Sequence, residues 1–349
     1  MTDINAEVNI TVLGTTGTGK SCYLYAMASE MMKLGGCAGF VVQPKIKDAE
    51  SGKWMLDNEA EKELTDSWRR IKVDKIWPKP TTDDIKNYTF QLIGRDNRSI
   101  FTFRWVDYRG GVLNESNADY ARLVERLTDS HSVVICLPAD KIISNSEKIR
   151  SMCETYEKAL MSIGRPKPLC IMVCKKDLCP GAQAYRRCVD IIKTTLFSKY
   201  FSRGACCKVA VIPVQIGQNL CVDKGRIVGM NGNPPIIKPM NVQMPIFYSV
   251  YTSMEQRIAE YDATIDGNGM QICRINNGKG LLSGFLNLTG INSLRITALV
   301  EEIAVIKKQK ECLQFYIDQL KEVIDNCNRG CGENIPVQIY SDGKIVNLL

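Results

Sequence analysis

The chain has 349 residues, 45% hydrophobic and 24% charged, with 45 Lys and Arg against 38 Asp and Glu for a net charge of +7. That length suits two domains, or one large domain with an appendage, and the composition suits a globular protein with a substantial core. The charge is spread without a dense basic block interleaved with aromatics, which excludes a nucleic-acid reading; no apolar run approaches the about 18 residues of a membrane span.

The opening MTDINAEVNI has no positive n-region followed by an apolar h-region, so no signal peptide is expected. From Val8 to Leu13 a mostly apolar alternating run predicts a buried strand. It leads into Gly14-Thr15-Thr16-Gly17-Thr18-Gly19-Lys20-Ser21, which fits G-x-x-x-x-G-K-[ST] without mismatch. Tyr23, Leu24, Met27, Ala28, Met31 and Met32 then recur at helical spacing. In that strand–loop–helix context the glycines let the backbone close around a phosphate, and the loop N–H groups point at anionic oxygens. Lys20 supplies a point charge and Ser21 a hydroxyl for Mg²⁺. Gly14 through Cys22 are therefore the candidate phosphate-binding residues.

Further on, Phe40–Val42 reads as a short strand, a helix is expected over 58–71, and Trp77-Pro78-Lys79-Pro80-Thr81-Thr82 breaks regular structure. Two strands, Tyr88–Ile93 and Ser99–Val106, flank the turn Gly94-Arg95-Asp96-Asn97 and predict a hairpin. The second runs into Asp107-Tyr108-Arg109-Gly110-Gly111. A strand ending in D-x-x-G is a second phosphate-site signature, with Asp107 toward Mg²⁺ and the Gly110 N–H toward the γ-phosphate. Helices are expected over 117–130, 145–163 and 182–201, and buried strands over Ser132–Leu137, Leu169–Cys174 and Lys208–Ile216. The third strand signature is Cys174-Lys175-Lys176-Asp177, close to the [N/T]-K-x-D guanine motif. The Asp177 carboxylate can accept from N1–H and N2–H₂ of guanine, and the Lys175 stem can lie over the base. Gln215 and Ile216 fall where a base-contacting loop follows the last core strand. A long Gly/Pro/Asn-rich loop is expected over 218–245, then a helix over 246–265.

Fifteen cysteines sit mostly in apolar segments, among them Cys136, Cys170, Cys174 and Cys207, as reduced thiols of a cytoplasmic protein do. Cys327 and Cys331 have no second matching pair and His131 is the sole histidine, so neither zinc nor a histidine-based nucleophile is expected.

GTTGTGKS, DYRG and CKKD, in that order and each after a strand, resemble a TRAFAC-class GTPase of Ras-like architecture. The long gap between Lys20 and Asp107, the W-P-x-x-T pattern at Trp77 and the N-V-x-x-P stretch at Asn241–Pro245 are similar to the bacterial double-GTPase family of conflict and defence systems. The resemblance implies a doubly wound α/β P-loop domain, mostly parallel with one antiparallel edge strand, binding GTP or GDP with Mg²⁺. It implies Mg²⁺ ligation by Ser21, Asp107 and a switch threonine, Thr81 or Thr82 with Thr82 favoured, and places Lys20, Thr82, Gly110 and, as a weaker candidate, Arg109 at the reacting phosphate. Gly111 stands where Ras-like enzymes carry a water-positioning Gln, which implies slow hydrolysis unless a partner supplies the group. That partner would be a second GTPase, an activating protein or an effector.

The expected organisation is a GTPase domain over 1–265 with an insertion at 45–80, a Gly/Asn-rich linker over 266–290, a long helix over 291–327 and a β-hairpin tail over 328–349. In the helix Ile296, Leu299, Ile303, Ile306, Lys310, Leu313, Ile317, Leu320 and Ile324 follow heptad spacing. That pattern suits a parallel two-stranded coiled coil with a second copy, with Lys310 setting register. The additional apolar residues Val300, Val305, Phe315, Tyr316 and Val323 suit instead a helix folded back on its own domain. Asp342-Gly343 marks the turn of the tail hairpin. Three functions stay open: a GTP-binding switch with slow or partner-stimulated hydrolysis, a non-hydrolysing coiled-coil scaffold that holds nucleotide, and a general P-loop ATPase.

Overall fold

The computed structural model describes residues 7–33, 36, 38–78, 86–107, 117–164, 166–179, 181–203, 207–277, 291–330 and 337–346. Thr81, Thr82, Arg109, Gly110, Gly111 and Cys331 lie outside the described residues.

Strict alternation along three apolar strands defines two packed faces. In β6 (Ser132–Pro138), Val134 and Cys136 enter one core while Val133, Ile135 and Leu137 enter the other. In β7 (Leu169–Cys174), Cys170, Met172 and Cys174 face the first core and Leu169, Ile171 and Val173 the second. β8 (Lys208–Pro213) repeats the pattern with Ala210 and Ile212 against Val209 and Val211. Strands buried on both faces read as continuous apolar runs because helices cover each side.

The other elements are β1 (Glu7–Leu13), α1 (Lys20–Met31), β2 (Val41–Lys47), β3 (Trp54–Leu56), α2 (Asn58–Lys72), β4 (Lys86–Ile93), β5 (Ser99–Asp107), α3 (Asn117–Asp129), α4 (Ala139–Ser144), α5 (Glu147–Ser162) and α6 (Gly181–Ile191). After β8 come β9 (Cys221–Asp223), β10 (Arg226–Val228), α7 (Met244–Asn277), α8 (Ile291–Gly330), β11 (Gln338–Ser341) and β12 (Lys344–Ile345). Among the described residues one ten-stranded sheet runs β12-β11-β8-β7-β6-β1-β5-β4-β2-β3. β8, β7, β6, β1 and β5 are mutually parallel. This is the doubly wound α/β P-loop fold. Its antiparallel part is larger than one edge strand: β4, β2 and β3 extend one side and β11 and β12 the other. The short strand expected at Phe40–Val42 runs on as β2 to Lys47, and the expected 45–80 insertion adds β3 to the sheet. Asp57 caps α2 by accepting from the Ala60 N–H at 2.9 Å, and Leu64, Trp68 and Ile71 bury its inner stripe.

The expected helix over 182–201 is interrupted. α6 ends at Ile191 and the chain continues through a π turn at Ile192–Leu196 and a 3₁₀ turn at Ser198–Phe201. A second difference lies at the expected linker, since α7 continues to Asn277 through Gly267 and Gly269. Helix propensity at those glycines is poor, but α8 packs along α7 and that tertiary contact overrides it.

The heptad stripe of α8 is turned onto its own chain. Ile306, Leu313, Ile317, Leu320 and Ile324 are buried, as are the off-seam Tyr316 and Val323. α7 and α8 run antiparallel: Lys310 Nζ meets Asp262 Oδ1 at 2.5 Å, and Lys321 Nζ lies 6.0 Å from the Tyr251 ring centroid. Thus Lys310, the residue expected to set register in a parallel dimer, pairs within the chain. The tail hairpin turns at Asp342 and Gly343, φ 50° and 72°, and β11 joins β8 antiparallel. A Cβ at Gly343 would stand 2.4 Å from the Phe201 carbonyl oxygen, so only glycine fits this docked turn.

Candidate nucleotide-binding site

All five parallel strands end on one edge of the sheet. Val12 is level with Asp107, Pro138 with Cys174, and Val173 with Pro213. The crevice beyond the carboxyl ends of such strands is where an α/β fold holds its ligand.

At the end of β1 the loop Gly14–Gly19 turns into α1. Gly19 caps the helix in a left-handed conformation at φ 100°, which glycine reaches without a Cβ penalty. Gly14 is needed for closeness, since a Cβ there would lie 2.8 Å from Thr18 Oγ1 and 3.1 Å from the Cys136 carbonyl oxygen. Thr18 is buried, and its hydroxyl and N–H both donate to the Thr15 carbonyl, at 2.9 and 3.2 Å. Its side chain therefore shapes the loop. Lys20 Nζ arches back to the carbonyl oxygens of Gly14 and Thr15, at 2.6 and 3.3 Å. The ammonium is thereby folded over the loop.

The second half of the crevice is a cavity of about 330 Å³. Thr18, Gly19, Cys22 and Tyr23 line it from the loop and α1. Cys174, Lys175 and Asp177 line it from the end of β7, and Gln215 and Ile216 from the end of β8. Lys175 adopts φ 53°, after which Leu178 and Cys179 N–H close a 3₁₀ turn onto the carbonyls of Lys175 and Lys176, at 3.0 and 2.9 Å. The Lys176 N–H donates to Val214 O at 3.3 Å and ties this turn to the base of the β8 loop. Burial pushes the Asp177 carboxyl above the usual carboxylate range, opposed by its own backbone N–H and by Lys175 and Lys176. Cys174, where the guanine motif has Asn or Thr, is buried and directs its thiol to the Met172 carbonyl at 3.6 Å. The Cys22 thiol is pushed up to about 12 by burial and is chemically quiet.

Sequence reasoning missed part of this wall. Trp77, Leu220, Cys221, Val222 and Met230 also line the cavity. Trp77 stood in a segment read as a breaker, and the others in a stretch read as loop. Asn241, quoted for the family resemblance, is buried and donates from Nδ2 to Pro213 O at 3.0 Å, bracing the end of β8.

Ser21 lies in the first turn of α1, and Asp107 closes the neighbouring strand β5. A hydroxyl and a carboxylate are hard oxygen donors suited to Mg²⁺, which keeps waters and phosphate oxygens for its remaining positions. Among the described residues no three His, Cys, Asp or Glu side chains cluster as a metal site. Among the described residues no helix is long and apolar enough to cross a membrane.

The strand order, the glycine loop and the helix it caps define an α/β P-loop protein. No family model and no curated protein matches the chain. Solved structures with detectable likeness include the mammalian SRP receptor, at 10% identity over 59% of this chain and 90% of that one, TM-score 0.33. Another is Sup35 complexed with GDP, at 13% identity over 62% of this chain and 39% of that one, TM-score 0.31. A third is the conserved domain of the dynein light intermediate chain, at 11% identity over 70% and 73%, TM-score 0.34.

Proposed function

We propose that the chain is a guanine-nucleotide-binding switch that hydrolyses GTP slowly, or rapidly when a partner completes the site. The observation that carries this reading is that Lys175 and Asp177 share one cavity with Thr18, Gly19 and Cys22 of the phosphate loop. A base seated there meets a carboxylate that matches the N1–H and N2–H₂ donors of guanine and finds no such pair on adenine. Phosphates then extend toward Lys20 and the α1 N-terminus, with Mg²⁺ held by Ser21, Asp107 and Thr82. Gly110 acts at the γ-phosphate through its N–H. Gly111 offers no side chain to orient water, so Arg109 or a group from an activating protein or second GTPase supplies what is missing. Signalling to that partner, in a conflict or defence setting, is what the double-GTPase resemblance adds.

The test is titration of the chain with fluorescent GTP and ATP analogues in Mg²⁺, wild type beside Asp177→Ala. GTP is expected to bind at least about tenfold tighter than ATP, about 1.4 kcal/mol, with the preference lost in the variant. Equal binding of both nucleotides would remove the guanine reading of Cys174–Asp177 and make the chain a general P-loop NTPase. Binding without turnover, alone or with a partner, would make it a nucleotide-holding scaffold.

A further inference from the structure

The loop after β8 is fixed at its ends and lightly held in its middle. At the ends Gln215 and Met240 exchange N–H···O bonds at 3.4 and 2.9 Å, and Gln218 and Ile236 do so at 2.8 and 3.0 Å. The middle is the hairpin β9–β10, turned at Lys224 and Gly225 with φ 45° and 80°, as a type I′ turn requires. Among the described residues it forms a separate two-stranded sheet, and two strands alone are marginal in water. Of its strand residues only Ile227 is buried, at 4% exposure.

What fastens the hairpin is a chain segment far away in sequence. The Trp77 N–H donates to Gly225 O at 2.8 Å, the Ile227 N–H donates to Lys75 O at 2.7 Å, and Ile76 forms a bridge with Arg226. Both fastened pieces are cavity wall: Trp77 on one, Cys221 and Val222 on the other. The latch therefore joins two pieces of the wall of the cavity that holds Asp177.

We propose that β9–β10 is a strap over the base end of the site, latched through backbone to Lys75–Trp77, and that its opening sets the rate at which nucleotide leaves. The proposal rests on reading the cavity as a nucleotide site. Phosphate contacts hold the other end of the ligand, so a base cannot withdraw sideways while the strap is closed. An element with few buried contacts and a backbone latch opens ahead of the core, as lids that gate release do.

The test follows dissociation of fluorescent GDP, chased with excess unlabelled GDP, from the full chain. Ile227→Pro removes the N–H given to Lys75, and a second variant replaces Val222–Ile227 with two glycines. Dissociation is expected to quicken at least about tenfold in both, with association changed far less. In the wild type, bound GDP is expected to protect the exposed Cys221 thiol from maleimide, read by peptide mass mapping. Dissociation within about twofold of wild type in variants that melt as folded proteins, or Cys221 unprotected at saturating GDP, overturns the strap alone. Failure of the wild type to bind GDP at all overturns the nucleotide reading and the strap with it.

Discussion

The proposed phosphate end, Gly14 to Ser21, is one unbroken stretch, whereas the proposed base end collects Cys22, Trp77, Lys175, Asp177, Gln215 and Cys221 from five separate segments. At the phosphate end the decisive features are local: the left-handed Gly19, the close approach at Gly14, and Lys20 folded back on the loop carbonyls. At the base end each group depends on strand register, with Lys176 tied to Val214 and Asn241 to Pro213. The two ends also divide the chemistry. Triphosphate is common to all nucleoside triphosphates, so on the proposed function the phosphate end would confer affinity and the base end choice.

Breaking the scaffold under both ends should have the largest effect. Leu320 of α8 is fully buried against the core shared with α1 and β7. Leu320→Ala is expected to cost about 2–5 kcal/mol of stability in denaturant unfolding, with the GTP-over-ATP preference of the folded fraction unchanged. A changed preference would mean that α8 acts on the base end. Next, Lys20→Ala should weaken GTP and ATP alike by about 100-fold, about 2.7 kcal/mol, in titration calorimetry. Unequal losses would blur the division between ends. Asp177→Ala should weaken GTP by about tenfold and leave ATP within about twofold.

A finer test uses pH. Burial raises the folded-state pKa of Asp177 above its unfolded value. Guanine needs the ionised carboxylate, so GTP preference should fall on acidification at a higher pH than an ordinary carboxylate would give. For stability the sign is reversed. The folded state binds this proton more tightly, so the contribution is full below the unfolded pKa and is lost as pH rises through the folded pKa. At neutral pH, Asp177→Asn should therefore raise the melting temperature of the nucleotide-free chain while weakening GTP binding. A lower melting temperature would show that the ionised group stabilises the empty site.

Much of the fold was legible because the strands are buried on both faces. Ser132–Pro138 and Leu169–Cys174 are continuous apolar runs that few other structures accommodate. The G-x-x-x-x-G-K-S stretch was legible for the same kind of reason, since its glycines and lysine act within one turn of chain. The β9–β10 hairpin was not legible. Its strands are short and exposed, its turn is Lys-Gly, and its latch lies on the far side of the sequence at Lys75–Trp77. Gly267 and Gly269 misled in the opposite sense, reading as linker within a helix that α8 stabilises.

Backbone chemistry acting over a few residues was determined by sequence alone: the glycine loop, the alternating strands and the Asp342-Gly343 turn. The heptad stripe of α8 was equally plain as a stripe, but a stripe does not name its partner. Ile306, Leu313 and Leu320 are apolar whichever surface buries them, and only the tertiary structure decided that α7 and the core of this same chain do so. Likewise Lys175 and Asp177 carry the same side chains in any fold. Their meeting with the phosphate loop in one cavity comes from the parallel register of β1, β6, β7 and β8, which no local preference encodes.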